Sequence, residues 1–156
     1  MEQLLEYRQS LIERYEAAAR QFREAVETAT RSTVQKEAEA WSVHQIAAHT
    51  RDVEKMVYGA RIRRTLKEEN PLFENFDGDA WMEKHYRADE SLASMLDELT
   101  DSVRTNAALL RELPSEAWTR ESRHETYGGG FTAQTWVERA LAHLEEHLKT
   151  VREKVG

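Results

Sequence analysis

Apolar residues recur every three or four positions along most of this chain. Leu4, Leu5, Leu11, Ile12, Tyr15, Ala19, Phe22 and Val26 share one helical face over about residues 2–30. "TRSTVQKEAEA" interrupts that pattern, and "WSVHQ" restarts it, with Ser42 and Gln45 at the spacing of a capping box. Ile46, His49, Val53, Met56, Val57, Ala60 and Leu66 then form the expected inner stripe of helix two, to about residue 67. Helix three carries Leu92, Met95, Leu96, Leu99, Val103, Ala107 and Leu110. Helix four, capped by Thr132, carries Trp136, Ala140, His143, Leu144, His147, Leu148 and Val151. No strand-type alternation stands out. The pattern predicts an all-α four-helix bundle, one domain over residues 1–156.

Between helices two and three, "EENPLFENFDGDAWMEKHYRA" has no helical period of comparable length. Its Leu72, Phe73, Phe76 and Trp81 make it an ordered connection, since a solvated linker would not expose so much apolar surface. Apolar side chains left outside, such as Leu72 and Phe73, lead to the expectation of a homodimer.

Charge and composition narrow the function. The net charge is −7, with no Lys/Arg cluster able to track a phosphate backbone, so nucleic acid is not an expected partner. Cysteine is absent, which excludes disulfides, a thiolate nucleophile of the chain's own and Cys-ligated zinc. Neither a signal-peptide pattern nor a long uncharged run is present, so the expectation is a soluble cytoplasmic protein with no membrane partner.

The chemistry sits in three histidines. His143 and His147 are four apart on the inward face of helix four, a spacing that lets two imidazoles reach one ion. His49 lies on the inward stripe of helix two. Three such imidazoles in a small core must be satisfied, either by separate hydrogen bonds or by one shared cation.

Their levels bear on topology. At ~1.5 Å per residue, His49 lies about 10 Å from the start of helix two. The midpoint of His143 and His147 is then about 13 Å from the end of helix four and about 20 Å from its start. The three meet most easily if helices two and four are antiparallel. That is an up-down-down-up bundle, in which helices two and three are parallel and need a crossover of full bundle length. Helix two is about 39 Å long, and some twenty extended residues reach about 66 Å, so the stretch 68–88 suffices.

"WSVHQIAAHTRDVEKMVYGARIRR", "FENFDGDAW", "HETYGGGFT" and "ALAHLEEHLKTV", in this order, resemble the DinB-like superfamily of metal-binding four-helix bundles. The resemblance covers the chain from Trp41 onward. It implies an up-down-down-up fold and a divalent metal, zinc or nickel, on His49, His143 and His147. Characterised relatives of this kind transfer low-molecular-weight thiols such as bacillithiol or mycothiol. The resemblance therefore implies transfer of a thiol cosubstrate to an electrophilic small molecule. The alternatives are a metal-dependent hydrolase or a non-catalytic, stress-related metal-binding bundle.

Three His ligands leave the metal a position open to water or substrate. The expected nucleophile is a metal-bound water or thiolate, with no protein nucleophile. Asp52, one turn from His49, is expected to orient an imidazole through its ring N–H. Trp81, His85 and Tyr86, late in the crossover, are expected to border the metal pocket. Arg61 and Arg64 are candidates for binding an anionic substrate. His44 is expected at the surface, and His124 and Tyr127 at the far end of the bundle from the metal.

Overall fold

A computed structural model of the protein describes residues 2–32 and 41–155. The break expected over residues 30–40 thus falls largely outside the described residues. Helix α1 (Glu2–Arg31) buries Leu11, Ile12, Tyr15, Ala19, Phe22 and Val26, while Leu4 and Leu5 at its open end stay exposed. Ser42 caps α2 (Val43–Val53) in a complete capping box with Gln45. A π-turn (Glu54–Tyr58) leads without a break into α3 (Gly59–Lys67), so helix two is one rod with a bulge in it. The crossover holds β1 (Leu72–Phe73) and α4 (Gly78–His85). Next come α5 (Leu92–Arg111), a 3₁₀ turn (Ser115–Thr119), the hairpin β2 (Glu121–His124) and β3 (Gly128–Thr132), and α6 (Ala133–Glu153), which Thr132 caps.

Side-chain pairs give the helix directions. Arg8 meets Gln134 and Arg14 meets Glu145, numbers rising together, so α1 and α6 are parallel. Glu16 meets Arg111 and Arg23 meets Asp97, so α5 runs against α1. Arg51 and Lys55 meet Glu98, and Arg63 meets Asn106, so α5 runs with α2–α3. His49 lies by His147 and Tyr58 by Trp136, so α6 runs against α2–α3. The bundle is up-down-down-up.

Arg51 anchors the far end of the crossover. Its guanidinium donates to Asp52, Glu90 and Glu98, joining α2, the connection and the start of α5. Near the crossover's beginning, Phe73 is 3% exposed and packs edge-on against Trp136. That corrects the expectation of an exposed Phe73; Leu72, at 49%, is the exposed neighbour. Among the described residues no helix is long and apolar enough to cross a membrane.

Two features depart from the periodic reading. The first is a small sheet. β1 pairs parallel with β2 (Leu72 with Arg123, Phe73 with His124), and β2 pairs antiparallel with β3 (Ser122 with Phe131). Gly128 and Gly130 sit at φ +85°, which a side chain would resist. The second is the π-turn. One extra residue advances the helix face by about 100°. Met56, expected inside, is therefore exposed, while Val57, Arg61, Ile62 and Thr65 are buried.

The π-turn encloses a buried polar cluster. Tyr15 Oη donates to Glu54 Oε2, Asn106 Nδ2 donates to Tyr15 Oη (3.2 Å), and Arg63 donates to Asn106 Oδ1 (2.9 Å). Among the described residues Glu54 Oε1 is buried without a partner, and burial pushes the carboxyl up to about 7. The folded state thus holds a proton that the unfolded chain releases near its ordinary pKa of 4.5. That contribution to stability is complete below pH 4.5 and is lost as the pH rises through about 7. Urea denaturation at pH 5 and pH 8 should show the wild type losing more stability across the interval than Glu54→Gln. Taking the difference between the two proteins cancels the opposing histidine contributions. Equal losses would mean that Glu54 is already ionised in the fold at pH 5.

Candidate metal centre

His49 projects from the middle of α2, and His143 and His147 project from successive turns of α6. Because these helices are antiparallel, the three rings meet. His143 Nε2 lies 3.3 Å from His49 Nε2 and 3.0 Å from His147 Nε2. One ligand nitrogen from each residue lies within 4.8 Å of the other two.

Hydrogen bonding alone accounts poorly for this. An imidazole nitrogen carries either one proton or one lone pair, so His143 Nε2 cannot make two well-directed bonds to its neighbours. His143 Nδ1 is also buried without a partner among the described residues. Burial, with repulsion among the rings, pushes His49 down to about 4 and His143 to about 2. Burial lowers His147 as well. The imidazoles are therefore neutral at pH 7, the form that ligates a cation. Two ligands held ~2.0–2.1 Å from a tetrahedral ion stand about 3.3 Å apart, close to the spacings seen here. The donor set fits a divalent transition metal.

Aromatic rings hold the imidazoles in place. Trp41 packs on His49 with ring centroids 4.8 Å apart, and Tyr58 on His143 at 5.4 Å. Asp52 does not serve this purpose, which corrects the sequence expectation. Its Oδ1 accepts from Arg51 Nε (2.6 Å) and its Oδ2 from Trp81 Nε1 (3.2 Å), so it ties α4 to α2. The crossover reaches the site earlier than expected, at Phe76 and Gly78. A Cβ on Gly78 would stand 3.1 Å from His49 Cε1. Gly78→Ala should therefore weaken metal affinity several-fold in a competitive chelator titration. The melting temperature of the metal-stripped variant should not fall, because alanine favours a helix more than glycine does. Unchanged affinity would show that His49 has room to shift.

A cavity of about 290 Å³ opens beside His49 and His143. Trp81, His85 and Tyr86 are not among its walls, a second correction. His85 is exposed and stacked on Trp81 at 3.7 Å, about two turns past Gly78, where the chain leaves the site. Tyr86 Oη donates to His44 Nδ1 (2.6 Å), and His44 Nε2 donates to Glu90 O (2.8 Å), so His44 is half-buried rather than at the surface. Arg64 also lies outside: it is paired with Glu68 and faces a neighbouring groove.

Arg61 does line the cavity, together with Arg139, Asn75, His124 and Tyr127. The last two correct the expectation that their loop lies far from the metal. The hairpin folds back along the bundle and pairs with β1, which carries His124 to the cavity wall. Arg139 was within reach of sequence reasoning, four residues before His143 on the same helix face.

The family whose pattern matches residues 14–151 is described as the DinB superfamily. None of the curated proteins matches the chain. One similar solved structure is described as "YfiT from Bacillus subtilis is a probable metal-dependent hydrolase with an unusual four-helix bundle topology". The TM-score is 0.81 at 24% identity, over 95% of this chain and 85% of that one. At that identity the likeness establishes the fold alone.

Proposed function

The chain belongs to the DinB superfamily, and from that premise we propose that it is a metal-dependent enzyme that transfers a low-molecular-weight thiol to an electrophilic small molecule. One observation carries this reading. Three neutral imidazoles converge beside a cavity that two of them, His49 and His143, line, and whose other walls, among the described residues, are cationic, amide, aromatic and aliphatic, with no carboxylate. His49, His143 and His147 would hold the cation. A cation there supplies Lewis acidity, lowering the pKa of a thiol or water that reaches it.

The chain's own residues do the rest. Neutral ligands leave the cation's positive charge undiminished, which favours an anionic sulfur. Trp41 and Tyr58 keep the rings aimed at one point. Arg61 and Arg139 add positive potential along the wall, drawing in an anionic cosubstrate. A thiol ionised in this way needs no carboxylate to take its proton at the moment of attack, and the cavity offers none.

Hydrolysis, the activity named for YfiT, is the second reading. A bound water would be acidified as a thiol would, so this reading needs in addition a group to protonate the leaving alcohol or amine, and among the described residues no carboxylate lines the cavity to do so. His124 Nδ1 accepts from Thr126 N–H (3.1 Å), so its ring proton lies on Nε2.

The test is product analysis with the zinc- or nickel-loaded protein, a panel of small thiols and a chromogenic aryl halide. Thioether should form in proportion to bound metal, and His147→Ala should abolish it. Cleavage of ester or amide substrates at a rate independent of thiol, with no thioether, would replace transfer with hydrolysis.

A further inference from the structure

We propose that the hairpin end of the cavity is a carboxylate-binding subsite, formed by Arg61 and Arg139 with Asn75 beside them. The proposal rests on reading the cavity as the substrate site, and it specifies what the cosubstrate must carry: a carboxylate at one end and the reacting sulfur at the other.

Arg61 is the starting point. It is 9% exposed, yet among the described residues it meets no carboxylate. Its one hydrogen bond among them runs from Nη2 to Glu74 O at 2.9 Å. A guanidinium has five N–H donors, and a buried cation without a counter-ion is costly. Arg51, equally buried, shows the usual arrangement, with Asp52, Glu90 and Glu98 around it.

The guanidinium is supported by rings instead. Arg61 Cζ lies 4.8 Å from the centroid of Trp136 and 5.6 Å from that of Phe73. Arg139 Cζ lies 5.3 Å from the Phe131 centroid and likewise has no ion pair among the described residues. Stacking holds a guanidinium in place while leaving its edge donors free for a ligand. Two like charges now face one cavity. Burial pushes Arg61 below its usual range, and repulsion from Arg139 adds to that. Glu125, a carboxylate on the same hairpin, instead accepts from the Asn75 backbone N–H (2.7 Å).

An anion entering the cavity would be attracted by both cations and would offset their mutual repulsion. A carboxylate suits the donor set because a guanidinium edge binds its two oxygens in one plane. The cavity's 290 Å³ admits a small molecule reaching from the arginines to the histidines. The geometry therefore selects a short thiol bearing a carboxylate over a neutral or cationic one.

The test uses the full chain, metal-stripped so that carboxylates cannot bind the ion instead. Arginine Nε–Hε NMR signals are followed during titration with 3-mercaptopropionate, and separately with 3-mercapto-1-propanol and inorganic phosphate. The acid should shift the Arg61 signal saturably and bind at least ~10-fold more tightly than the alcohol, the ratio expected of one charge-assisted contact. Arg139→Gln, at an exposed position, should bring that ratio near one while the metal content of the loaded form stays unchanged. Arg61→Gln should do the same. Equal binding of acid and alcohol by the wild type would overturn the subsite, and tighter binding of phosphate would overturn its assignment to a carboxylate. Because no metal is present, neither result depends on whether thiol transfer is the reaction.

Discussion

Replacing His143 with alanine should reduce metal binding by at least ~100-fold, beyond the 10–100-fold typical of losing a residue that merely supports a ligand. His143 Nε2 lies 3.3 Å from His49 Nε2 and 3.0 Å from His147 Nε2, so its loss removes a ligand that stands against both of the others. Metal analysis after loading and desalting should give close to one ion per chain for the wild type and almost none for His143→Ala. Thermal melting adds a second reading. Metal that binds only the folded state raises the wild-type melting temperature, and that rise should vanish in the variant. The metal-free variant should be no less stable than the metal-free wild type, because the mutation removes an imidazole whose Nδ1 is buried without a partner among the described residues. His124→Ala, by contrast, should keep its full metal content, since His124 lines the cavity but belongs to no ligand cluster among the described residues. A His143→Ala protein with unchanged stoichiometry would leave the other two histidines, or a different site, holding the ion.

The second large effect belongs to Trp136. It is 1% exposed, and its Nε1 donates to Ser122 Oγ (2.7 Å), which in turn donates to Phe131 O (2.8 Å). Phe131 stacks on it at 5.0 Å, and Phe73 and Arg61 pack around it. One side chain thus joins α6 to both hairpin strands and to the beginning of the crossover. Trp136→Ala should cost roughly 3–5 kcal/mol, as expected for emptying a buried aromatic site. Hydrogen exchange should quicken most in 121–124 and 128–132, the strands that Trp136 fastens. Trp136→Phe should lose less, retaining the ring contacts while leaving Ser122 Oγ without its donor. The metal centre lies two turns further along α6, so variants that still fold should bind metal in the wild-type ratio. Undiminished stability in Trp136→Ala would mean that the hairpin is held elsewhere.

Much of this arrangement was legible in the residues themselves. The 3.6-residue period of Leu11 to Val26 and of Trp136 to Val151 is long enough to determine both helix and face. Counting residues along two helices was sufficient to bring His49 level with His143 and His147, and the length of the 68–88 stretch agreed with the direction this required. What stayed hidden depends on contacts distant in sequence. The π-turn is one inserted residue in an otherwise regular pattern, and it shifts the helix face so that Arg61 lies inward and Met56 outward. β1 has two residues, and "GGGFT" has no alternation, so neither reads as a strand before the two are paired. That pairing places His124 and Tyr127 beside the metal centre, whereas loop position alone put them at the opposite end. Asp52 is a similar case: its spacing suits His49, but Arg51 and the Trp81 indole take both its oxygens.

The central claim is that one cation is held by three imidazoles, and X-ray absorption at the metal edge of the loaded protein tests it most directly. The account predicts one ion per chain with three imidazole nitrogens from His49, His143 and His147 in its first shell, falling to two in His147→Ala. An ion surrounded by carboxylate oxygens, or a spectrum that His147→Ala leaves unchanged, would contradict it.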